Sequence, residues 1–149
     1  MKTFLATAAA LALAAGTAAF AAGDLSRTNV QTVTLEMGTN EDGMFFSPKK
    51  MEFETGQAYK LVMTNVDEIK HEVALGELFE RIFTRKLEIA DKNGDLIAEV
   101  KGPVYEVEIG PGWTVEWFFV PVQTEENAIL ACELPGHKEA GMWNTVTLK

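Results

Sequence analysis

Three side chains with metal-binding chemistry crowd one short segment, Cys132-Glu-Leu-Pro-Gly-His137-Lys-Glu-Ala-Gly-Met142. Cys132 is the only cysteine, and His137 is one of two histidines in 149 residues. The spacing C-x4-H-x4-M leaves enough chain for a loop to wrap one ion. Thiolate, imidazole and thioether make a soft to borderline donor set. That set excludes calcium and magnesium, which seek oxygen, and leaves copper and zinc. A fourth donor must come from elsewhere, and His71 is the other imidazole. It opens the short run HEVAL, 61 residues before Cys132. Two sheets folded face to face could bring such distant strand ends to one rim.

Two imidazoles, one thiolate and a weak axial thioether form the ligand set of blue-copper electron-transfer sites. Cu(I) favours the sulfur donors and Cu(II) the imidazoles, so a mixed set holds both oxidation states. A stiff sandwich that imposes one arrangement on both keeps the reorganisation energy small. Structural zinc sites use four strong ligands and rarely a thioether, so Met142 favours copper. A thiol enzyme pairing Cys132 with His71 or His137 lacks any nucleophile-loop signature and leaves Met142 without a part. Taken singly, a cysteine packs in a core and a methionine fills gaps, as Met63 is expected to do. Their joint spacing, beside Pro135-Gly136, carries the metal reading.

The elements that must position these residues read as strands. Val30–Met37 alternates and is β-branched, and Met51–Thr55 is followed by Gly56 and by AYKLVMTN, 58–65. His71–Leu75, Val104–Ile109, Trp113–Val120, Asn127–Cys132 and Trp143–Lys149 follow, separated by Gly/Pro turns such as Gly110-Pro111-Gly112. Short, evenly spaced strands with such punctuation predict an all-β sandwich or barrel. The nearly continuous apolar end of WTVEWFFV predicts a strand buried on both sides, with Trp113, Trp117, Phe118 and Phe119 in the core. ELFERIFTR, 77–85, places Leu78 with Ile82 and Phe79 with Phe83 at helical spacing and predicts a short helix or helical turn. The segment after it predicts a hairpin with Asn93-Gly94 at its tip. Together they form an insertion at 77–102. Asp91-Lys-Asn-Gly-Asp95 alternates acids, yet Leu96 and Gly102 stand where a calcium loop needs glycine and glutamate, so a turn is expected there.

CELPGHKEAGM resembles the ligand loop of cupredoxins, the small blue-copper proteins that include plastocyanin and azurin. TNVDEIKHEVAL, 64–75, is similar to the segment bearing their first histidine. MFFSPKKMEFETGQAYKLVMTN and IGPGWTVEWFF resemble the strands before each ligand segment. The likeness covers most of the chain apart from the insertion, and is strongest to a bacterial periplasmic copper-binding subfamily. It implies a Greek-key β-sandwich in which His71, Cys132 and His137 are equatorial ligands and Met142 the axial one. It also implies that the edge of His137 reaches the surface as the electron route. One departure stands out: plastocyanin and azurin usually carry asparagine after the first histidine, where it ties the two ligand segments, and Glu72 stands here. Strand alternation predicts a Glu72 that points away from the metal into solvent. Trp143 is expected to pack beneath the loop.

The first segment has a different character. MKTFLATAAALALAAGTAAFAAGD has a lysine, an apolar Ala/Leu stretch and small residues at Ala19 and Ala21, the layout of a secretory signal peptide. The expected division is therefore a signal peptide at 1–21 and one domain at 22–149, located in the periplasm. No later stretch is long and apolar enough to suggest membrane insertion. With 13 basic against 22 acidic residues and a formal charge of −9, the chain has no basic footprint for nucleic acid. The expected function is a one-electron carrier, not an enzyme. Its expected partner is a redox protein such as a periplasmic cytochrome, or a copper-handling protein. Copper sequestration, delivery or resistance is the alternative.

Overall fold

The computed structural model describes residues 28–149; the expected signal peptide lies outside them. Eleven strands follow in order: β1 Gln31–Asn40, β2 Gly43–Ser47, β3 Lys50–Phe53, β4 Tyr59–Asn65, β5 His71–Ala74, β6 Ile82–Ala90, β7 Leu96–Val100, β8 Glu106–Ile109, β9 Thr114–Pro121, β10 Glu125–Ala131 and β11 Trp143–Leu148. They form a six-stranded sheet in the order β2-β1-β4-β9-β6-β7 and a five-stranded sheet in the order β3-β11-β10-β5-β8. Each sheet has one parallel pair, β1 with β4 and β3 with β11, among antiparallel neighbours. The expected all-β sandwich is thus the observed architecture.

Alternation in the sequence decides which faces meet. Tyr59, Leu61, Met63 and Asn65 of β4 are buried while the residues between them are half-buried, as expected of a strand with one face in the core. Val115, Trp117 and Phe119 of β9 supply the neighbouring row, in register with Met63, Leu61 and Tyr59. One end of the sandwich is aromatic: Phe53 packs edge-on against Tyr59 and Phe119 at 4.8 and 5.2 Å. At the other end β4 finishes at Asn65, β5 begins at His71 and β10 runs into Cys132, so the candidate donors gather at that rim.

Two local expectations need correction. ELFERIFTR does not form a helix through Arg85: a single 3-10 turn spans Gly76–Glu80 and the strand β6 begins at Ile82. Leu78 anchors the turn in the core, but from Ile82 onward the open edge of β9 offers a full ladder from Pro121 back to Thr114. Pairing overrides the helical spacing and leaves Phe83 62% exposed. β9 is also not buried on both sides. Its second face is half-buried, and Phe118 lies beneath the ammonium groups of Lys60 and Lys86, 5.9 and 4.9 Å from the ring centroid. Trp117 and Phe119 are core, and Trp113 packs against it.

The β6–β7 hairpin turns where expected. Gly94 adopts φ +86, and Asp91 Oδ1 accepts the backbone N–H groups of Asn93 and Asp95 at 2.8 and 3.0 Å. The alternating acids therefore serve a turn.

Candidate metal centre

Asn65, at the end of β4 and fully buried, builds the bend that delivers His71. Its Nδ2 donates to the carbonyls of Ile69, Ile109 and Gly110 at 2.7, 2.9 and 3.1 Å. Its Oδ1 accepts the N–H of Asp67 at 2.9 Å. One side chain thus closes the 66–70 loop and ties it to the turn after β8. His71 then enters β5 opposite Ile109 of β8, with its ring 0% exposed.

The second segment leaves β10 at Cys132 and returns at Met142. Its closure is made by backbone: the N–H of Cys132 donates to Met142 O, and the N–H of Met142 donates to His137 O, both at 3.0 Å. Turn bonds from His137 to Leu134 and from Ala140 to Gly136 shape the residues between. The β1–β2 hairpin lies flat against this loop, with Met44 N donating to Ala140 O at 3.0 Å. A Cβ at Gly43 would stand 2.8 Å from Ala140 O, and one at Gly141 2.8 Å from Met44 O. Both glycines also have positive φ, so this close backbone seam needs glycine on each side. Lys49 braces the loop's exit, its Nζ donating to Gly141 O and Trp143 O at 2.6 and 3.2 Å. Trp143 does not pack beneath the loop: it is 40% exposed, with Lys49 Nζ 5.4 Å from its ring centroid.

The two segments meet at three donor atoms. His71 Nδ1 lies 3.2 Å from His137 Nδ1, and His137 Nδ1 lies 3.4 Å from Cys132 Sγ. The three residues offer donors that all fall within 4.8 Å of one another. A single ion with imidazole nitrogens and a thiolate at about 2.0–2.3 Å holds trigonal donors roughly 3.5 Å apart, so the observed separations fit one small ion. Cys132 and Met142 are fully buried, and His137 is half-buried.

The electrostatics suit metal binding by neutral imidazole. Burial, then the neighbouring His71, pushes the His137 pKa down, which favours the neutral ring with one nitrogen free to bind a metal. Burial pushes the Cys132 thiol up, eased by N–H groups of Leu134 and Glu72; a metal must displace that proton. The N–H of Glu72 donates to Cys132 Sγ at 3.3 Å, a bond that stabilises thiolate charge.

Glu72 departs from expectation. Its carboxylate faces away from the donors but is not solvated: the residue is 6% exposed, and Oε1 accepts the N–H of Glu133 at 3.2 Å. Glu72 therefore ties the two ligand segments itself, as an acceptor. Burial raises its pKa, with the nearby Glu106, Glu108 and Glu133 adding to the rise.

Sequence reasoning missed Asp67. Its Oδ2 lies 3.0 Å from His71 Nε2, on the far side of the ring from the other donors. The Thr39 hydroxyl donates to the same oxygen at 2.6 Å and is the main reason the Asp67 pKa is lowered. The available signal was an acid four residues before a candidate ligand histidine, which means little until the bend is known.

A β-sandwich with two imidazoles and a thiolate converging at one rim defines a cupredoxin-like copper domain. The model of the family described as "Copper binding proteins, plastocyanin/azurin family" matches residues 32–149, and the chain belongs to that family. Copper is accordingly the cofactor that the donor set fits. A search of curated proteins found no matching relative.

Solved structures share the fold at low identity. A multicopper oxidase from Campylobacter jejuni is 12% identical with a TM-score of 0.67, over 83% of this chain and 31% of the oxidase chain. A Cu-containing nitrite reductase from Thermus scotoductus is 12% identical with a TM-score of 0.60, over 80% of this chain and 31% of its own. A copper nitrite reductase from Nitrosomonas europaea is 8% identical with a TM-score of 0.62, over 82% and 50%. This chain thus spans a third to a half of these enzymes.

Proposed function

We propose that this chain is an exported one-electron carrier holding one copper ion between His71, Cys132 and His137, with Met142 as the weak axial ligand. The observation that carries the reading is the convergence of His71 Nδ1, His137 Nδ1 and Cys132 Sγ at the rim. Met142 is supported by its burial and by backbone bonds to both Cys132 and His137. Bound copper supplies a one-electron couple between Cu(I) and Cu(II).

The protein's part is to hold its donors still while that couple turns over. His71 is locked inside the sandwich. The backbone-closed loop keeps Cys132 and Met142 in fixed relation to His137. Half-buried His137 gives the electron its shortest path to a partner. Nothing in this requires a substrate pocket. Both histidines of the chain are committed to one cluster, leaving no imidazole for a second copper centre, which supports a carrier over an enzyme. Met37, Met51 and Met63 are buried in the core and form no additional sulfur relay, which favours electron transfer over copper delivery. The layout of residues 1–21 supports export to the periplasm, where a cytochrome would be a suitable partner.

Adding Cu(II) to the purified mature protein is expected to produce intense thiolate-to-copper absorption in the visible, absent in Cys132→Ser. A wild type without that absorption would overturn the assignment. Rapid electron exchange with a c-type cytochrome supports a carrier; copper lost instead to an apo acceptor supports delivery. N-terminal sequencing of the exported protein is expected to begin at Ala22.

A further inference from the structure

The ring nitrogen of His71 that faces away from the other donors meets a carboxylate that already accepts from two other groups. Asp67 Oδ2 accepts the Thr39 hydroxyl at 2.6 Å and lies 3.0 Å from His71 Nε2. Asp67 Oδ1 accepts the N–H of Glu68 at 2.8 Å, and the N–H of Asp67 is held by Asn65. An ionised carboxylate can only accept, so Nε2 must carry the ring proton. Nδ1 is then left with its lone pair toward His137 and Cys132. The ring has no exposed surface, so water cannot take over the task. Among the described residues, no carboxylate hydrogen-bonds to His137.

We propose that Asp67, braced by Thr39, is a positioning residue that fixes the His71 tautomer and biases the copper couple toward Cu(II). The inference rests on the reading of His71 as a copper ligand. A carboxylate behind a ligand imidazole raises its basicity and fixes the ring plane. Its negative charge also favours the more highly charged ion of the couple by simple Coulomb attraction. Because the ring is buried, that attraction is screened less than at a surface. Thr39 keeps the carboxylate on the ring instead of rotating into the loop, and Asn65 fixes the backbone that carries it. No proton or electron is transferred in this role; the two residues set the starting energy of the copper site and the geometry of its least mobile ligand.

The test uses the full mature protein and four variants: Asp67→Asn, Asp67→Glu, Asp67→Ala and Thr39→Val. Asp67→Asn is expected to weaken Cu(II) binding about tenfold relative to Cu(I), within the range for partners behind metal ligands. A tenfold change in that ratio is a potential rise of about 59 mV for one electron. Thr39→Val is expected to move the potential in the same direction by less, and Asp67→Glu to recover part of the Asn shift. Asp67→Ala is expected to lose the most Cu(II) affinity. Nitrogen-15 NMR of the copper-free wild type is expected to show His71 as the Nε2–H tautomer at neutral pH. Potentials of Asp67→Asn and Thr39→Val equal to wild type would overturn the proposal, as would an Nδ1–H tautomer. The NMR arm needs neither copper nor a variant that folds. A wild type that binds no copper but shows the Nε2–H tautomer would sink the copper reading and the potential bias together, while upholding Asp67's hold on the ring.

Discussion

His71 reaches the site from a strand end, with its ring wholly buried and its outer nitrogen on Asp67. His137 reaches it from the middle of a loop, half-buried, with the loop closed mainly by backbone bonds and braced at its ends by Glu72 and Lys49. The first imidazole is fixed by side chains from three elements: Asn65 of β4, Thr39 of β1 and Asp67 of the bend. The second depends on turn geometry and on the glycine seam between Gly141 and the β1–β2 hairpin. One donor is thus built into the fold, while the other is presented at its surface. For the proposed carrier the difference would be useful: a rigid interior ligand would restrain geometry across oxidation states, and a ligand nearer the surface would let the electron leave.

The largest expected effect strikes the built-in side. Asn65→Ala removes a side chain whose two amide hydrogens are shared among the carbonyls of Ile69, Ile109 and Gly110 and whose oxygen holds the N–H of Asp67. Of these, Gly110 O keeps another donor, the N–H of Trp113. Each buried group left unpaired costs about 1–3 kcal/mol, and a loss of about 4 kcal/mol is expected in urea unfolding of the copper-free protein. A loss below about 1 kcal/mol would show that the bend holds itself.

The two histidines themselves sharpen the contrast. His71→Ala leaves a cavity and takes one of Asp67's three partners, and is expected to cost the copper-free fold about 3 kcal/mol. His137→Ala truncates a half-buried residue and is expected to cost less than about 1 kcal/mol. Copper titration should find binding severely impaired in both. Equal destabilisation of the copper-free proteins would erase the distinction between the two ligands.

A smaller effect concerns Glu72, the tie between the two segments. Burial raises its pKa above the usual carboxylate value of 4.5, so the folded chain holds this proton more tightly than the unfolded one. Its contribution favours the fold at pH values below 4.5 and is lost as pH rises through the raised value. Glu72→Gln keeps an acceptor for the N–H of Glu133 without the charge. The variant is expected to be more stable than wild type at neutral pH by up to about 1 kcal/mol. The gap should close as the pH is lowered toward 4.5. A constant difference across that range would remove titration of Glu72 from the account.

The two regions were also unequally legible in the sequence. Cys132, His137 and Met142 stand out because soft donors are scarce and their spacing is local, and His71 follows as the other histidine. Strand β1 announces itself by alternation and β9 by its apolar run. Asp67 and Thr39 do not, because one acid among 22 carries no signal, and their meeting with His71 depends on the bend built by Asn65. Glu72 was misread because alternation gives the direction of a side chain and not what covers it. The helical spacing at 77–85 yields only the 3-10 turn over Gly76–Glu80 for a related reason: Ile82 and Thr84 are claimed by β9, a partner that no local pattern can reveal. What chemistry names, sequence displays; what tertiary contact decides, it does not.

The central claim is that one copper ion sits between these two unlike segments. A crystal of the copper-loaded protein, with anomalous scattering measured at the copper edge, tests it most directly. A single peak is expected at the rim, within bonding distance of Nδ1 of both histidines and the cysteine sulfur, and with the methionine sulfur facing it. A peak elsewhere, or one that leaves out the imidazole of His71, would contradict it.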